Sequence, residues 1–410
     1  MTIVLIAWRN IGRNRRRSIL SIAAVAGAMA LLVFMMAFQK GSYLSMINTT
    51  VHAHSGHIQL QRTGYFKDGD LALKLDNPEA LSPILRSIKE IVAFAPRINA
   101  PALVSKDAKT FGSLIWGIDP VAEANTSTLT KVIKKGKYLS AEDKTGALLS
   151  DLLAKNLNAD IGDEIVFIGQ GADGSMAAGK LFVRGIFKFG INEIDRVVMA
   201  AHIETIQEIF SLQDSASEIA VILDSDSARP LVIDSLKQRL AERSFDNITV
   251  LGWNDISPEI EQSIEIDWKT GLIMYAVLVL VVGFGIANTF FMAFMERIHE
   301  YGILLSLGMK SLTVSLMTYI ESALLSAIGI ALGAVVGIAV TEYFAKKGLT
   351  IPDAEDLFAE YGMDPVVYPA LSAEVLVIAT AIVGIITAAM ALYPAWKAGR
   401  LEPVKALRRI

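Results

Sequence analysis

The sequence predicts a membrane protein of four transmembrane α-helices with a large α+β extracytoplasmic domain inserted between helices 1 and 2. Three observations carry this. The 410 residues are 53% hydrophobic with a mean hydropathy of +0.45, above the composition of ordinary soluble domains. Four apolar runs, 18–38, 270–295, 312–341 and 375–395, are long enough to cross a hydrocarbon core about 30 Å thick. Between the first two lies 39–268, which holds no run of that length. A net charge of −4 speaks against nucleic acid as a partner. With no cysteine, disulfides, thiolate metal sites and a lipid on the chain's own cysteine are excluded.

Residues 1–17, MTIVLIAWRNIGRNRRR, predict a cytoplasmic interfacial helix. Val4, Trp8 and Ile11 fall on one face, and Arg9, Arg13 and Arg16 on another. The run 18–38 follows as transmembrane helix 1. It outlasts the 7–15-residue core of a secretory signal, so it reads as an anchor. The five arginines ahead of it put the N-terminus in the cytoplasm and 39–268 outside.

The outer region mixes strands and helices without a βαβ period, which favours α+β. HIQL, DEIVFIG, LFVRGIF and RVVMA read as strands. PEALSPILRSIKEIV, SDLLAKNLNA and HIETIQEIFSL read as helices. Clustered Ser, Gln and Asp at 211–218 place a break between two subdomains there. Gly174 to Lys180 has the glycine and lysine spacing of a phosphate-binding loop, but Leu181 stands where a magnesium-binding hydroxyl is needed. A hairpin tip is the better reading. His52, His54 and His57 are three of five histidines; on a strand, His52 and His54 would share a face that could reach zinc or copper. No acidic residue lies close enough in sequence to complete that site, so the expectation is no metal.

Residues 253–270 bring Glu259, Glu261, Glu265 and Asp267 into the approach to the second span. After Pro258 the pattern allows one helix continuous with 270–295. The chain then turns polar abruptly, and 296–310 predicts a cytoplasmic helix with Glu296, Arg297, His299 and Glu300 at its start and a stop at Gly308. The run 312–341 carries Glu321, a carboxylate that needs a partner within the span; a structural hydrogen bond is the expectation. It also carries Gly329, Gly333 and Gly337, a small-residue stripe that serves either a dimer face or packing against another span. An extracytoplasmic loop at 346–372 holds Pro352, Pro365 and Pro369, transmembrane helix 4 is 375–395, and 396–410 forms a basic cytoplasmic tail.

The segment MERIHEYGILLSLGMK resembles the coupling segment of the FtsX/MacB-type ABC transporter permeases, E-R-x-x-E-(I/F)-G-(I/L)-L-R-(A/S)-L-G. Glu296, Arg297, Glu300, Gly302, Leu304, Leu307 and Gly308 occupy matching positions, whereas Tyr301 and Leu305 depart from it. AWRNIGRNRRRS and YPAWKAGRLEPVKALR resemble that family's opening and closing segments, and Glu321 falls where an acid is common. Without a fused ATPase and with SGHIQL after the first span, the chain is most similar to the LolC/LolE lipoprotein-releasing branch.

The resemblance implies a non-catalytic permease subunit in a bacterial inner membrane, with both termini cytoplasmic and the large domain in the periplasm. A separate cytoplasmic ATPase dimer would hold ATP and magnesium and grip the coupling segment, and a second permease copy or paralogue would complete the transporter. No cofactor is expected on this chain. Motion passed along the second span would release lipoproteins to a periplasmic carrier, with Tyr43, Met46 and Ile47 as the expected lipid-facing substrate residues. A MacB-like efflux permease or an FtsX-like regulator of a cell-wall hydrolase would use the same lever, and both remain open.

Overall fold

Four helices of this chain are long and apolar enough to cross a membrane, and their ends follow local chemistry. The computed structural model describes residues 15–350, 366–402 and 406. The expected N-terminal interfacial helix up to residue 14, the loop at 351–365 and most of the tail beyond 402 lie outside the described residues. The described residues fall into two compact units, one built from 15–44, 264–350 and 366–406, the other from 45–263.

Five helices bear on the first unit. α1 is Arg15–Thr50 and α2 is Pro258–Glu296. The second starts on a proline, whose missing N–H costs nothing at the first helical position. Glu259 and Glu261 then complement the positive end of its dipole. α3 is Ile298–Ser306, α4 is Ser311–Lys347 and α5 is Ala373–Gly399. α4 ends on Lys346 and Lys347, the favoured charge at a C-terminus, before Gly348 at φ +76°. The side chain of Ser372 caps α5 by accepting from the Val375 N–H.

Val25, Met29, Leu32, Val33 and Met36 of α1 pack with Val279, Ile286 and Phe290 of α2 and with Val375, Ala379 and Val383 of α5. α4 reaches α1 differently. Gly329, Gly333 and Gly337 are buried, and a Cβ added to Gly333 would lie 2.5 Å from the Ala26 carbonyl oxygen and 2.7 Å from Met29 Cβ. At Gly329 it would lie 2.6 Å from Val25 Cβ. Of the two readings open for this stripe, packing against another span describes these contacts: the small residues let α4 approach α1 of the same chain.

In the second unit one ten-stranded sheet is built from β1 (Ile58–Arg62), β2 (Ile91–Lys106), β3 (Lys109–Ile118), β4 (Ile133–Gly136), β5 (Gly146–Ser150), β6 (Glu164–Gln170), β7 (Met176–Phe187), β8 (Val198–His202), β9 (Glu218–Leu223) and β10 (Ile248–Gly252). Their order is β10-β1-β9-β2-β3-β8-β5-β7-β4, with β6 joining β2 to β7. Most pairs are antiparallel; β3 with β8 and β5 with β7 are parallel. This is the expected α+β domain between the first and second transmembrane helices.

Three hydrophobic cores share the sheet, the third of them around Trp116, Ile118, Leu148 and Val198. Ile58, Leu60, Ile219, Val221 and Val250 face Ile84 and Leu85 of the helix Ser82–Arg86 and Leu236 and Leu240 of the helix Arg229–Glu242. The second core holds Ile98, Ala100, Ala102 and Val104, the alternate residues of β2 that share one face. Ile91 and Phe94, earlier on β2, pack against the first core. Leu71 joins the second core from between Leu60 and Leu75 of the first, and the chain passes to the second core again within β2 and returns between Leu212 and Ile219, so 211–218 is one of several crossings. The helix expected over residues 78–92 is also corrected: helical residues end at Arg86, and Ile91 already belongs to β2.

Candidate functional site

The segment around α3 is held by its polar start. Arg297 is the residue before α3; its Nε donates to Glu300 Oε2 at 3.0 Å and its Nη1 to Glu321 Oε2 at 2.5 Å. The guanidinium also lies over the Tyr301 ring, 5.4 Å from its centre. One arginine thereby joins the turn after α2, the first turn of α3 and the third turn of α4. Arg297 and Glu321 keep only 13% and 17% of their side chains exposed, so the pair is largely shielded from water. Glu321 is the structural ion-pair partner that its place in a span demands.

The apolar side of α3 is equally fixed. Tyr301 is buried and stacks on Phe294, with ring centres 6.1 Å apart. Ile298, Val314, Met317 and Ala398 complete the cluster, and burial raises the Tyr301 hydroxyl above its ordinary pKa. Tyrosine at this position keeps an aromatic body in the core where the family pattern has Ile or Phe. Gly302 is buried, and Leu304 and Leu305 pack at the cluster's edge. α3 stops in a Schellman arrangement: Met309 N–H bonds to Leu304 O and Gly308 N–H to Leu305 O, both at 3.1 Å. Gly308 takes φ +90°, which explains the glycine there.

Opposite this anchored face, His299, Ile303, Ser306 and Leu307 are exposed, the i, i+4, i+7, i+8 spacing of one helical face. Ile303 keeps 41% and Leu307 79% of its surface. Glu296 at the end of α2 is exposed as well. The predicted residues therefore divide: Arg297, Gly302 and Leu304 hold the segment, Glu300 braces Arg297, Gly308 ends the helix, and Glu296 and Leu307 are presented outward.

The expected substrate residues do not form one surface. Tyr43 donates to Asp267 Oδ2 at 2.5 Å, beside Gln39, whose amide reaches the same carboxylate at 2.9 Å. Ile47 packs against the cluster of Val51, Ile222 and Trp253. Met46 lines a cavity in the outer unit. Nor are His52 and His54 on a strand: both sit in a π-helical turn, Val51–Ser55. The His54 ring stacks on Trp116 at 4.2 Å, and the His52 ring meets His57 edge-on at 5.8 Å. Among the described residues, no group of three His, Cys, Asp or Glu side chains is placed to hold a metal ion.

Sequence reasoning missed a polar network inside the outer unit. Arg97, on β2, is fully buried and pairs through two hydrogen bonds with Glu123, Nε to Oε2 at 2.8 Å and Nη2 to Oε1 at 2.7 Å. Its Nη1 donates to the His54 carbonyl. Glu218 on β9, buried nearby, accepts from Gln59 at 3.2 Å and Gln61 at 3.3 Å. Burial pushes the Glu218 carboxyl up to about 7, against the opposing pull of Arg97. The alternation of buried Gln59 and Gln61 with Ile58 and Leu60 on β1 was the available signal: both faces of this short strand are covered.

Residues 18–239, more than half of the chain, match the family model described as the MacB-like periplasmic core domain. Residues 272–403 match the FtsX-like permease C-terminal model. The lipoprotein-releasing system transmembrane protein LolC of Xylella fastidiosa is 25% identical over 78% of this chain and 78% of its own length. LolC of Neisseria meningitidis is 24% identical over 95% of this chain and 94% of its own. The macrolide export ATP-binding/permease protein MacB of Hyphomonas neptunium is 22% identical over 98% of this chain, which spans 60% of that longer protein. Among solved structures, the periplasmic region of MacB from Actinobacillus actinomycetemcomitans aligns with 51% of this chain and 92% of its own at 14% identity and a TM-score of 0.37. With an FtsX-like transmembrane half and a MacB-like outer half on one chain, this protein belongs to the FtsX/MacB-type ABC transporter permeases.

Proposed function

We propose that this permease transmits ATP-driven motion of a separate cytoplasmic ATPase dimer to its periplasmic domain, and thereby releases lipoproteins from the outer leaflet of the bacterial inner membrane. The observation that carries the coupling half is α3, whose one face is locked by Arg297, Tyr301 and Glu321 while Ile303 and Leu307 stay exposed. Apolar side chains on a rigid helix with a polar start suit a soluble partner. ATP and magnesium would reside on that partner, and the permease would supply no catalysis. Both termini would lie in the cytoplasm, and a second copy or paralogue would complete the membrane part. The unbroken run of α2 from Pro258 to Glu296 suits the transmission of motion.

The lipoprotein half of the reading draws on LolC relatives whose matches extend through both halves of the chain. Of the three expected substrate residues, Met46 has the side chain best placed to meet cargo, because Tyr43 and Ile47 are engaged within the fold. A periplasmic carrier would take the released lipoprotein. The MacB relative favours a second reading, efflux, in which the same lever drives export of a small molecule.

The test is a pull-down of tagged wild type and Leu307→Asp from native membranes, scored for ATP hydrolysis and for lipoproteins released on adding ATP. An ATPase retained by wild type and lost at least tenfold in Leu307→Asp, with unchanged melting of the permease, is expected. Glu300→Lys is a less selective probe because Glu300 also braces Arg297. ATPase without lipoprotein would shift the reading to efflux or division signalling, and no ATPase from either protein would refute the coupling role.

A further inference from the structure

The outer unit holds a cavity of about 480 Å³ that the coupling argument does not use. That volume lies within the range of small-ligand sites, which combine apolar walls with a few placed polar groups. Met46 of α1 forms one wall, and Ile194, from the helix Asn192–Val197, forms another. Ile256 and Ile260 close the third side. Glu193 and Glu259 stand exposed at the rim. Among the described residues, neither carboxylate is joined to a cation or a hydrogen-bond donor.

The backbone is shaped to build this space. Met46, Thr50 and His54 all line it. Eight residues of regular α-helix would set His54 about 80° round from Met46, at the edge of one helical face. The π-helical turn Val51–Ser55 widens the last turn, with Gly56 N–H bonding back to Val51 O at 2.9 Å, and returns His54 to the Met46 side. The His54 ring then lies flat on Trp116, 5° from parallel, as a rigid wall. Its Nδ1 is buried with no hydrogen-bond partner.

We propose that this cavity binds an alkylammonium amphiphile, with its chain among Met46, Ile194 and Ile260 and its head between Glu193 and Glu259. The apolar walls ask for a hydrocarbon body, and two unpaired carboxylates at the mouth repel an anionic head and attract a cationic one. The required chemistry is shared by aminophospholipids of the bilayer and by dissolved cationic amphiphiles. Met46 is also the residue proposed to meet cargo, so the inference rests in part on that reading.

The full chain in nanodiscs is labelled with dodecylamine bearing a diazirine, and separately with the matching dodecanol, and the adducts are mapped by peptide mass spectrometry. Amine adducts concentrated at Met46, Ile194 and Ile260 are expected. In Glu193→Gln/Glu259→Gln, two exposed substitutions that leave melting unchanged, amine labelling falls at least fivefold while dodecanol labelling changes less than twofold. Ile194→Trp, which fills the space, lowers both. Protection by phosphatidylethanolamine in the disc identifies a bilayer lipid as the source, and protection by dissolved dodecyltrimethylammonium alone identifies a solution amphiphile. Either supports the site. Adducts elsewhere, or amine labelling indifferent to loss of the carboxylates, overturns it, and lipoprotein release measured on the same variants reports separately on the exported cargo.

Discussion

Arg297→Met tests how α3 is held. The substitution keeps an unbranched apolar stem but removes the guanidinium that bonds Glu300 and Glu321. Taking one partner from a buried ion pair costs about 3–5 kcal/mol. Exposures of 13% and 17% leave some solvent screening here, so about 2–3 kcal/mol is expected. Glu321→Gln should cost less, about 1 kcal/mol, because a neutral amide oxygen still accepts from Nη1 and Arg297 keeps Glu300. Arg297→Met/Glu321→Met removes both charges and should recover about 1–3 kcal/mol relative to the sum of the singles. Stability is read by thermal melting of the purified permease in detergent, and docking by the ATPase activity that co-purifies. The singles should lose ATPase and melt earlier, with the double melting later than additivity requires. Additive melting shifts, or singles indistinguishable from wild type, would refute the role given to this pair.

Gly333→Ala should destabilise by about 1–3 kcal/mol, since its Cβ would press on Ala26 backbone that a rotamer change cannot move; Gly27→Ala, where a Cβ meets nothing within 4 Å, should melt no lower than wild type. Arg97→Met in the full chain should cost about 3–5 kcal/mol by leaving the Glu123 carboxylate buried without its guanidinium, visible as early loss of outer-unit structure in hydrogen exchange. Glu218 has a raised folded-state pKa of about 7 against 4.5, so its contribution to stability is full below about pH 4.5 and is lost as pH rises through about 7. Glu218→Gln should therefore flatten the fall in melting temperature across that window; an unchanged pH slope would remove Glu218 as its source.

The features legible in the sequence are those set by local composition. A run such as 270–295 must be a span because nothing in it can be left facing water over that length, and Gly308 ends α3 through a φ that glycine adopts freely. What failed depended on long-range pairing. Residues 87–92 carry a helical periodicity, yet Ile91 pairs with Leu223 and Ala93 with Ile222 across β9, and β-branched side chains gain more from that sheet than from another helical turn. The spacing of Gly329, Gly333 and Gly337 announced a close helix contact but could not name the helix, because a stripe records only the shape it needs opposite. His52 and His54 were misassigned to a strand for the same reason: alternation at two residues fits a strand, but Gly56 N–H closing on Val51 O makes the turn π-helical. Arg97 was unreadable, since its partner Glu123 follows 26 residues later on a short helix.

These differences bear on how motion could pass through the membrane half. α4 meets α1 through glycine, so that Gly333 rests on Ala26 backbone, and backbone against backbone leaves little room to slide without a clash. α2 meets its neighbours through long side chains: Gly283 faces the ends of Ile386 and Met390, and Tyr275 reaches Gln39 by one hydrogen bond of 2.8 Å. The Met390 contact can re-form after a small shift, because a Met chain changes rotamer at modest cost. On one side of α2, Ile273, Val277, Val281 and Phe284 stay exposed, a stripe compatible with lipid or a second copy on either side of a shift. The helix that starts before the membrane half and ends at Glu296 is thus less constrained than the α1–α4 pair. If it is the element that moves, a disulfide engineered between α2 and α5 near Gly283 should abolish coupled ATPase stimulation, while one between α1 and α4 near Gly333 should leave it intact. The reverse pattern would assign the motion to α4.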